Sequence, residues 1–128
     1  TAVIACIDAR VDPTRILGGE PGDYHIIRNG GGLVTDDAMR SLMVSQFHGT
    51  ARIVVMMHTD CGANGLTKEA AEAQLGPVPY DMHGFTSIED ELRSGVERLR
   101  SEPLVVAPKG ITGHVYDLTT GQMSLVVP

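Results

Sequence analysis

The sequence predicts an α/β domain built on a mostly parallel sheet, with helices on its faces and an antiparallel strand at its C-terminal edge. Apolar segments of strand length alternate with segments whose apolar residues recur every three or four positions, the spacing of a helix face. The first apolar segment, Ala2–Cys6, has no polar interruption, as expected for a strand buried on both faces of a parallel sheet. The last two strand-like segments flank Thr119-Thr120-Gly121, which is a hairpin signal.

The N-terminal part of the chain continues from this first strand into the predicted helices. Asp12-Pro13 begins a short helix, because Asp is a favoured N-cap and Pro is favoured at the first helical position. Tyr24–Ile27 is predicted as the second strand, and the glycine-rich loop Asn29–Gly32 follows it. Thr35 is predicted to cap a helix whose apolar face continues to Phe47.

The C-terminal part maintains the alternation of strands and helices. A helix with its apolar residues on one stripe is predicted to begin after Ser87, a favoured N-cap. The other predicted elements are a third strand at Ile53–Met57, a helix at Thr67–Leu75, a surface loop at Gly76–Phe85 and two strands at Ile111–Tyr116 and Gln122–Val127. No repeat or linker interrupts the pattern, so residues 1–128 are expected to form a single domain.

Composition limits the classes of function. A formal net charge of −6, with ten scattered Lys and Arg residues, argues against a nucleic-acid partner. No apolar stretch approaches the roughly 18 residues that cross a bilayer, so no membrane association is expected. Two cysteines are too few for a disulfide framework, and a reducing, cytoplasmic location is therefore expected.

Residues able to do chemistry follow the first and third predicted strands. Cys6 ends the first strand, with Asp8 and Arg10 just after it, and His58 and Cys61 follow the third. Because the carboxyl ends of parallel strands meet at one edge of a sheet, these side chains are expected to converge there. Two thiolates and an imidazole suit zinc, and three protein ligands leave the fourth position to water, as in catalytic sites. Taken alone, either cysteine is more typical of ordinary apolar packing than of a metal ligand.

Two short motifs resemble those of a known family. Their sequences, Cys6-Ile7-Asp8-Ala9-Arg10 and His58-Thr59-Asp60-Cys61-Gly62, are similar to the Cys-x-Asp-x-Arg and His-x-x-Cys signatures of the β-class carbonic anhydrases, especially the small bacterial members. The resemblance continues through Arg28–Gly32, where the family usually has Ala at the position of Gly30, and through Gly113–Asp117. Together these segments extend the resemblance over most of the chain.

The resemblance implies a zinc lyase that reversibly hydrates carbon dioxide to bicarbonate and a proton. It implies that Cys6, His58 and Cys61 bind the zinc ion. It also implies that Asp8 and Arg10 form a catalytic dyad, in which Arg10 keeps Asp8 ionised. If Arg10 releases it, Asp8 becomes an alternative fourth zinc ligand. A surface ion pair without a catalytic role is the alternative interpretation of the same two residues.

Gly31 and Gly62 are predicted to line the substrate site. Carbon dioxide is small and apolar, so its pocket needs few polar groups, and glycines let the backbone approach closely. The Gly62 amide is expected to serve a bicarbonate oxygen. A turn without any role in binding is an equal alternative for Gly31.

Assembly is expected from the resemblance as well. The family shares its active-site cleft between two subunits, which implies a homodimer or a dimer of dimers. Family members also carry helices before the first strand. This chain starts at Thr1, inside an apolar segment, so those helices are expected to be missing from it.

Three alternative functions remain open at this point. A hydrolase of carbonyl sulfide or carbon disulfide would use the same ligand set. A non-catalytic zinc-binding domain would keep the ligands but would have no need of Asp8 and Arg10, which are both present. A thiol redox protein would use Cys6 and Cys61, although the chain lacks a Cys-x-x-Cys motif.

Overall fold

The structure is a computed structural model that describes every residue of the chain, 1–128. Its elements in chain order are β1 (Ala2–Cys6), α1 (Pro13–Leu17), β2 (His25–Asn29), α2 (Asp36–Phe47), β3 (Ile53–His58), α3 (Lys68–Leu75), α4 (Ile88–Ser101), β4 (Ile111–Tyr116) and β5 (Met123–Val127). The strands form one sheet in the order β2-β1-β3-β4-β5. All neighbours pair in parallel except β4 and β5, which are antiparallel. This arrangement confirms the predicted fold class.

Three strands differ from their predicted boundaries. β2 begins one residue later than predicted and continues through Arg28 and Asn29, which pair with β1. β3 continues to His58, which pairs with β4. β5 begins at Met123 instead of Gln122. Backbone pairing with a neighbouring strand sets these ends, and a local hydrophobic pattern does not report such pairing.

The core lies mainly between the sheet and the helices α2 and α4. This cluster contains 17 buried residues, whereas the cluster on the opposite face, beside α1, contains only five. The second face is therefore covered more thinly than the first. Both faces are nevertheless covered over the two central strands, so every residue of β1 and β3 is buried. Their carboxyl ends deliver side chains to one edge of the sheet.

Side-chain caps fix the start of each helix. Asp12, Thr35, Thr67 and Ser87 each accept a hydrogen bond from a backbone amide in the first turn that follows. This confirms the predicted caps Asp12, Thr35 and Ser87, and makes Thr67 the cap of α3 instead of its first residue. None of the four helices is both long enough and apolar enough to cross a membrane.

Candidate metal centre

Three buried side chains converge at the carboxyl edge of the central strands. Cys6 is the last residue of β1, His58 is the last residue of β3, and Cys61 lies in the loop that follows. All three residues are buried, and their donor atoms lie within 4.8 Å of one another. The structure therefore brings together the three residues that the sequence predicted as zinc ligands.

The His58 ring places an unprotonated nitrogen in this cluster. Its Nδ1 lies 2.7 Å from the carbonyl oxygen of Thr59. Because a carbonyl oxygen can only accept, Nδ1 carries the proton of the neutral ring and Nε2 keeps a free lone pair. Nε2 is buried and has no hydrogen-bond partner. An unpaired buried polar atom costs about 1–3 kcal/mol, so this nitrogen indicates a ligand site for a metal ion.

The two cysteine sulfurs lie 3.9 Å apart, and both cysteines are free. Burial raises the pKa of the Cys61 thiol, and the neighbouring Cys6 raises it further, against the opposing effect of the amides of Ala63 and Asn64. Two thiolates this close in a buried site need a positive charge between them. Two soft sulfurs and an imidazole nitrogen form a donor set that fits zinc.

The glycine loop after β2 passes directly behind Cys6. Gly32 has a φ of +70°, and a Cβ there would lie 2.8 Å from the Cys6 backbone nitrogen, so only glycine fits. The Gly31 amide donates a hydrogen bond to Cys6 Sγ at 3.4 Å. The Gly62 amide donates to no other backbone group. A substrate contact at Gly31 or Gly62 stays a prediction.

Asp8 and Arg10 form a bidentate ion pair beside the three proposed ligands. Arg10 Nε donates to Asp8 Oδ1 at 3.0 Å, and Nη2 donates to Oδ2 at 2.7 Å. The Arg10 backbone amide also donates to Oδ1, at 2.9 Å. These bonds hold the pKa of the Asp8 carboxyl well below its usual range and raise the pKa of Arg10. Asp8 therefore stays ionised at neutral pH.

One acceptor position of the Asp8 carboxylate remains free. Each carboxylate oxygen can accept about two hydrogen bonds. Arg10 fills both positions of Oδ1 but only one position of Oδ2. Oδ2 is also the oxygen that lies 3.8 Å from His58 Nε2. Asp8 thus presents a hydrogen-bond acceptor beside the buried His58 nitrogen of the candidate metal site.

Two further residues shape the site, and the sequence did not single out either of them. Arg28 on β2 donates to three backbone carbonyls between Cys6 and Val11, and so fixes the segment that carries the dyad. Asp60 accepts hydrogen bonds from Arg10 through both its carboxylate and its carbonyl oxygen. Both residues lie within the recognised motifs, but motif spacing alone does not show which distant group each one contacts.

The chain is similar in sequence and structure to carbonic anhydrases and to related hydrolases. A family model described as carbonic anhydrase matches residues 1–102. The β-carbonic anhydrase 1 of Mycobacterium tuberculosis is 37% identical, over 99% of this chain and 82% of its own length. A carbon disulfide hydrolase of Acidianus sp. is 36% identical, over 94% of this chain and 74% of its own length. The crystal structure of a Streptococcus mutans carbonic anhydrase matches with a TM-score of 0.89 and 40% identity, over 98% of this chain and 80% of that chain.

Proposed function

The chain belongs to the β-class carbonic anhydrase family, and we propose on this premise that it catalyses the reversible hydration of carbon dioxide to bicarbonate and a proton. One observation carries the proposal. The unpaired Nε2 of His58 is buried beside two thiols and lies 3.8 Å from the oxygen of Asp8 that has a free acceptor position. A candidate metal site and a hydrogen-bond acceptor therefore lie side by side. Cys6, His58 and Cys61 would hold one zinc ion.

The chain's own residues position the reactants. Zinc, when bound, would acidify water and polarise a substrate oxygen. Asp8 Oδ2 accepts a hydrogen bond from the reacting water and so turns a lone pair of that water toward carbon dioxide. Because Arg10 keeps the pKa of Asp8 far below neutrality, changes in rate between about pH 6 and pH 9 do not reflect ionisation of Asp8.

Arg10 determines where the Asp8 carboxylate points. It donates every hydrogen bond that this carboxylate receives, and its guanidinium group binds both oxygens. Without Arg10, the carboxylate would be free to move toward His58 Nε2, which it already approaches to 3.8 Å. Asp8 would then take the place of the reacting water as an alternative fourth ligand, and the site would be inactive.

An apolar wall beside the proposed ligands suits carbon dioxide. Cys6 belongs to the main core cluster together with Leu33 and Phe85. These two side chains close the space over Gly31, where a Cβ would lie 3.1 Å from each of them. Apolar walls with few polar groups are typical of sites for small apolar ligands. The Gly62 amide, which donates to no other backbone group, supplies the polar contact to bicarbonate in this proposal.

Hydrolysis of carbon disulfide or carbonyl sulfide is the second candidate activity. The similarity to the Acidianus carbon disulfide hydrolase, at 36% identity, favours it. These molecules are small and linear like carbon dioxide, and the same residues would act on them. A non-catalytic zinc-binding role would leave the Asp8–Arg10 pair without a use, and a redox role would require Cys6 and Cys61 to be free of metal.

The dyad provides the test of the main proposal. Asp8→Asn should keep the zinc but lose about 10²- to 10⁴-fold in the rate of carbon dioxide hydration, because an amide donates to the water and misaligns it. Arg10→Ala should lose a comparable amount by releasing Asp8. The measurement is stopped-flow hydration across about pH 6 to pH 9, with the zinc content determined for each sample.

The control and the alternatives follow from the same assay. Glu89→Gln removes one carboxylate from an exposed ion pair on α4 and should leave the rate unchanged. If both dyad variants keep full zinc and the wild-type rate, the dyad is only a structural ion pair. Comparing wild-type turnover of carbon dioxide, carbonyl sulfide and carbon disulfide decides which substrate the site prefers.

We also propose that the chain forms a homodimer, or a dimer of dimers, and acts in the cytoplasm. β2 is an edge strand of the sheet, and the residues Val44 and Phe47 on the adjacent helix α2 are 52% and 86% exposed. Exposed apolar side chains grouped on one face are typical of interfaces. The proposed ligands Cys6 and Cys61 must stay reduced to bind a metal, which a reducing compartment favours.

A further inference from the structure

Asp60 has a backbone conformation that few side chains adopt. It lies between His58 and Cys61, has a φ of +52°, and is one of two non-glycine residues with a positive φ. The left-handed conformation turns the chain between two proposed metal ligands. Glycine would adopt it at lower cost, and Asp is tolerated there mainly because its side chain is short and polar. Backbone geometry alone therefore does not account for a carboxylate at this position.

Both oxygen-bearing groups of Asp60 accept hydrogen bonds from Arg10. Arg10 Nη1 donates to Asp60 Oδ2 at 2.9 Å, and Nη2 donates to the Asp60 carbonyl oxygen at 3.1 Å. Arg10 thus donates four side-chain hydrogen bonds, two to Asp8 and two to Asp60. Asp8 uses the edge formed by Nε and Nη2, whereas Asp60 uses the edge formed by Nη1 and Nη2. The two aspartates therefore bind Arg10 together and do not exclude each other.

We propose that Asp60 is a positioning residue that holds the Arg10 guanidinium in the orientation in which Arg10 binds Asp8. Asp60 acts through Arg10 and does not touch the reacting atoms. The inference rests on the proposed function, because its effect on the reaction passes through the dyad. The side chains of Asp60 and Arg10 are 81% and 52% exposed, so water screens their attraction and the effect on rate is modest.

Asp60→Gly distinguishes the contribution of the Asp60 side chain from that of its backbone. Glycine keeps the positive φ without strain and keeps the carbonyl oxygen, but it removes the carboxylate. The kcat/KM for carbon dioxide hydration should fall about three- to tenfold at unchanged zinc content. Asp60→Asn keeps an oxygen acceptor and tolerates the same φ, so it should retain about half or more of the wild-type kcat/KM. Glu89→Gln serves as the matched control, since it also removes one exposed carboxylate paired with an arginine.

A second measurement requires no activity. NMR measures how fast the Arg10 Nε proton exchanges with water in the zinc-free protein. The resonance of this proton is assigned by its absence from the spectrum of Arg10→Ala. Because this proton is bonded to Asp8 Oδ1, its exchange reports how well the dyad is held. Asp60→Gly should exchange it at least about threefold faster. If the glycine variant does not fold, Asp60→Ala provides the second variant that lacks the carboxylate.

Faster exchange together with a lower kcat/KM in the variants without the carboxylate would support the positioning role. Unchanged exchange, or a wild-type kcat/KM, would overturn it, because a residue that serves only the turn is replaced by glycine without loss. A failure of the proposed function is distinguishable from a failure of this inference. If the wild-type protein with full zinc does not hydrate carbon dioxide, the proposed function is wrong, but faster exchange in Asp60→Gly would still show that Asp60 fixes the Arg10 side chain.

Discussion

The candidate metal centre contains one buried polar atom that has no partner in the fold. His58 Nε2 has no hydrogen-bond partner, and the sulfurs of Cys6 and Cys61 lie 3.9 Å apart without a disulfide bond between them. The unpaired nitrogen costs free energy while no cation is bound, because a polar group is removed from water without compensation. Metal binding is therefore coupled to the stability of this edge of the sheet.

Replacing a single sulfur tests whether it binds the metal. The wild-type protein should contain about one zinc per chain, as expected for a single three-ligand site. Cys61→Ser should lose most of it, because a serine hydroxyl does not supply the thiolate that binds zinc. The metal content is measured by elemental analysis after dialysis, with Glu89→Gln as a control that leaves the site intact. Full zinc retention in Cys61→Ser would remove Cys61 from the list of ligands.

At the scale of elements, the site depends on how closely β1, β2 and the loop after β2 pack. Arg28 on β2 binds three carbonyls between Cys6 and Val11, and Gly32 lies against the backbone of β1. The proposed ligand Cys6 is thus fixed from two sides by groups that are not themselves proposed ligands. A change in this packing should disturb the metal centre without altering a ligand.

Two neighbouring glycines provide the test of this packing. Gly32→Ala places a Cβ 2.8 Å from the Cys6 backbone nitrogen at a φ of +70°, and should destabilise the protein by roughly 2 kcal/mol or more. Gly30→Ala meets no atom within 4 Å, and should change stability by less than about 0.5 kcal/mol. Urea unfolding of both variants measures the difference. Equal stability would show that the loop moves away freely.

Local and long-range interactions differ in how well the sequence predicts them. The caps Thr35 and Ser87 were predicted correctly because each bonds an amide only three residues away. The end of β2 was missed because Arg28 and Asn29 join the strand only through pairing with β1. The contact between Arg10 and Asp60 spans 50 positions, so no local pattern in the sequence reveals it.

At the scale of the whole molecule, topology explains why the predicted ligands converge even where strand ends were misjudged. Parallel strands in one sheet place their carboxyl ends together whatever their lengths. One part of the exposed surface is apolar: the β2 edge remains unpaired next to the exposed apolar side chains of α2. A second copy of the chain would cover such a surface.

The last prediction concerns this assembly. Light scattering at micromolar concentration should give a mass of twice the 13.6 kDa of one chain, or four times that mass for a dimer of dimers. Val44→Asp should shift the protein toward the monomer, because Val44 is 52% exposed and lines the groove between α2 and β2 together with His25 and Ile27. A buried, unpaired carboxylate at an interface strongly opposes association.

The control substitution is Leu104→Asp, since Leu104 is 67% exposed on the loop after α4, outside the groove. It should leave the mass unchanged, and circular dichroism should show that both variants remain folded. A wild-type protein that is active as a monomer at micromolar concentration would refute the dimer. A dimeric Val44→Asp protein would instead place the interface on another face, where the exposed Leu125 of the β5 edge becomes the next residue to change.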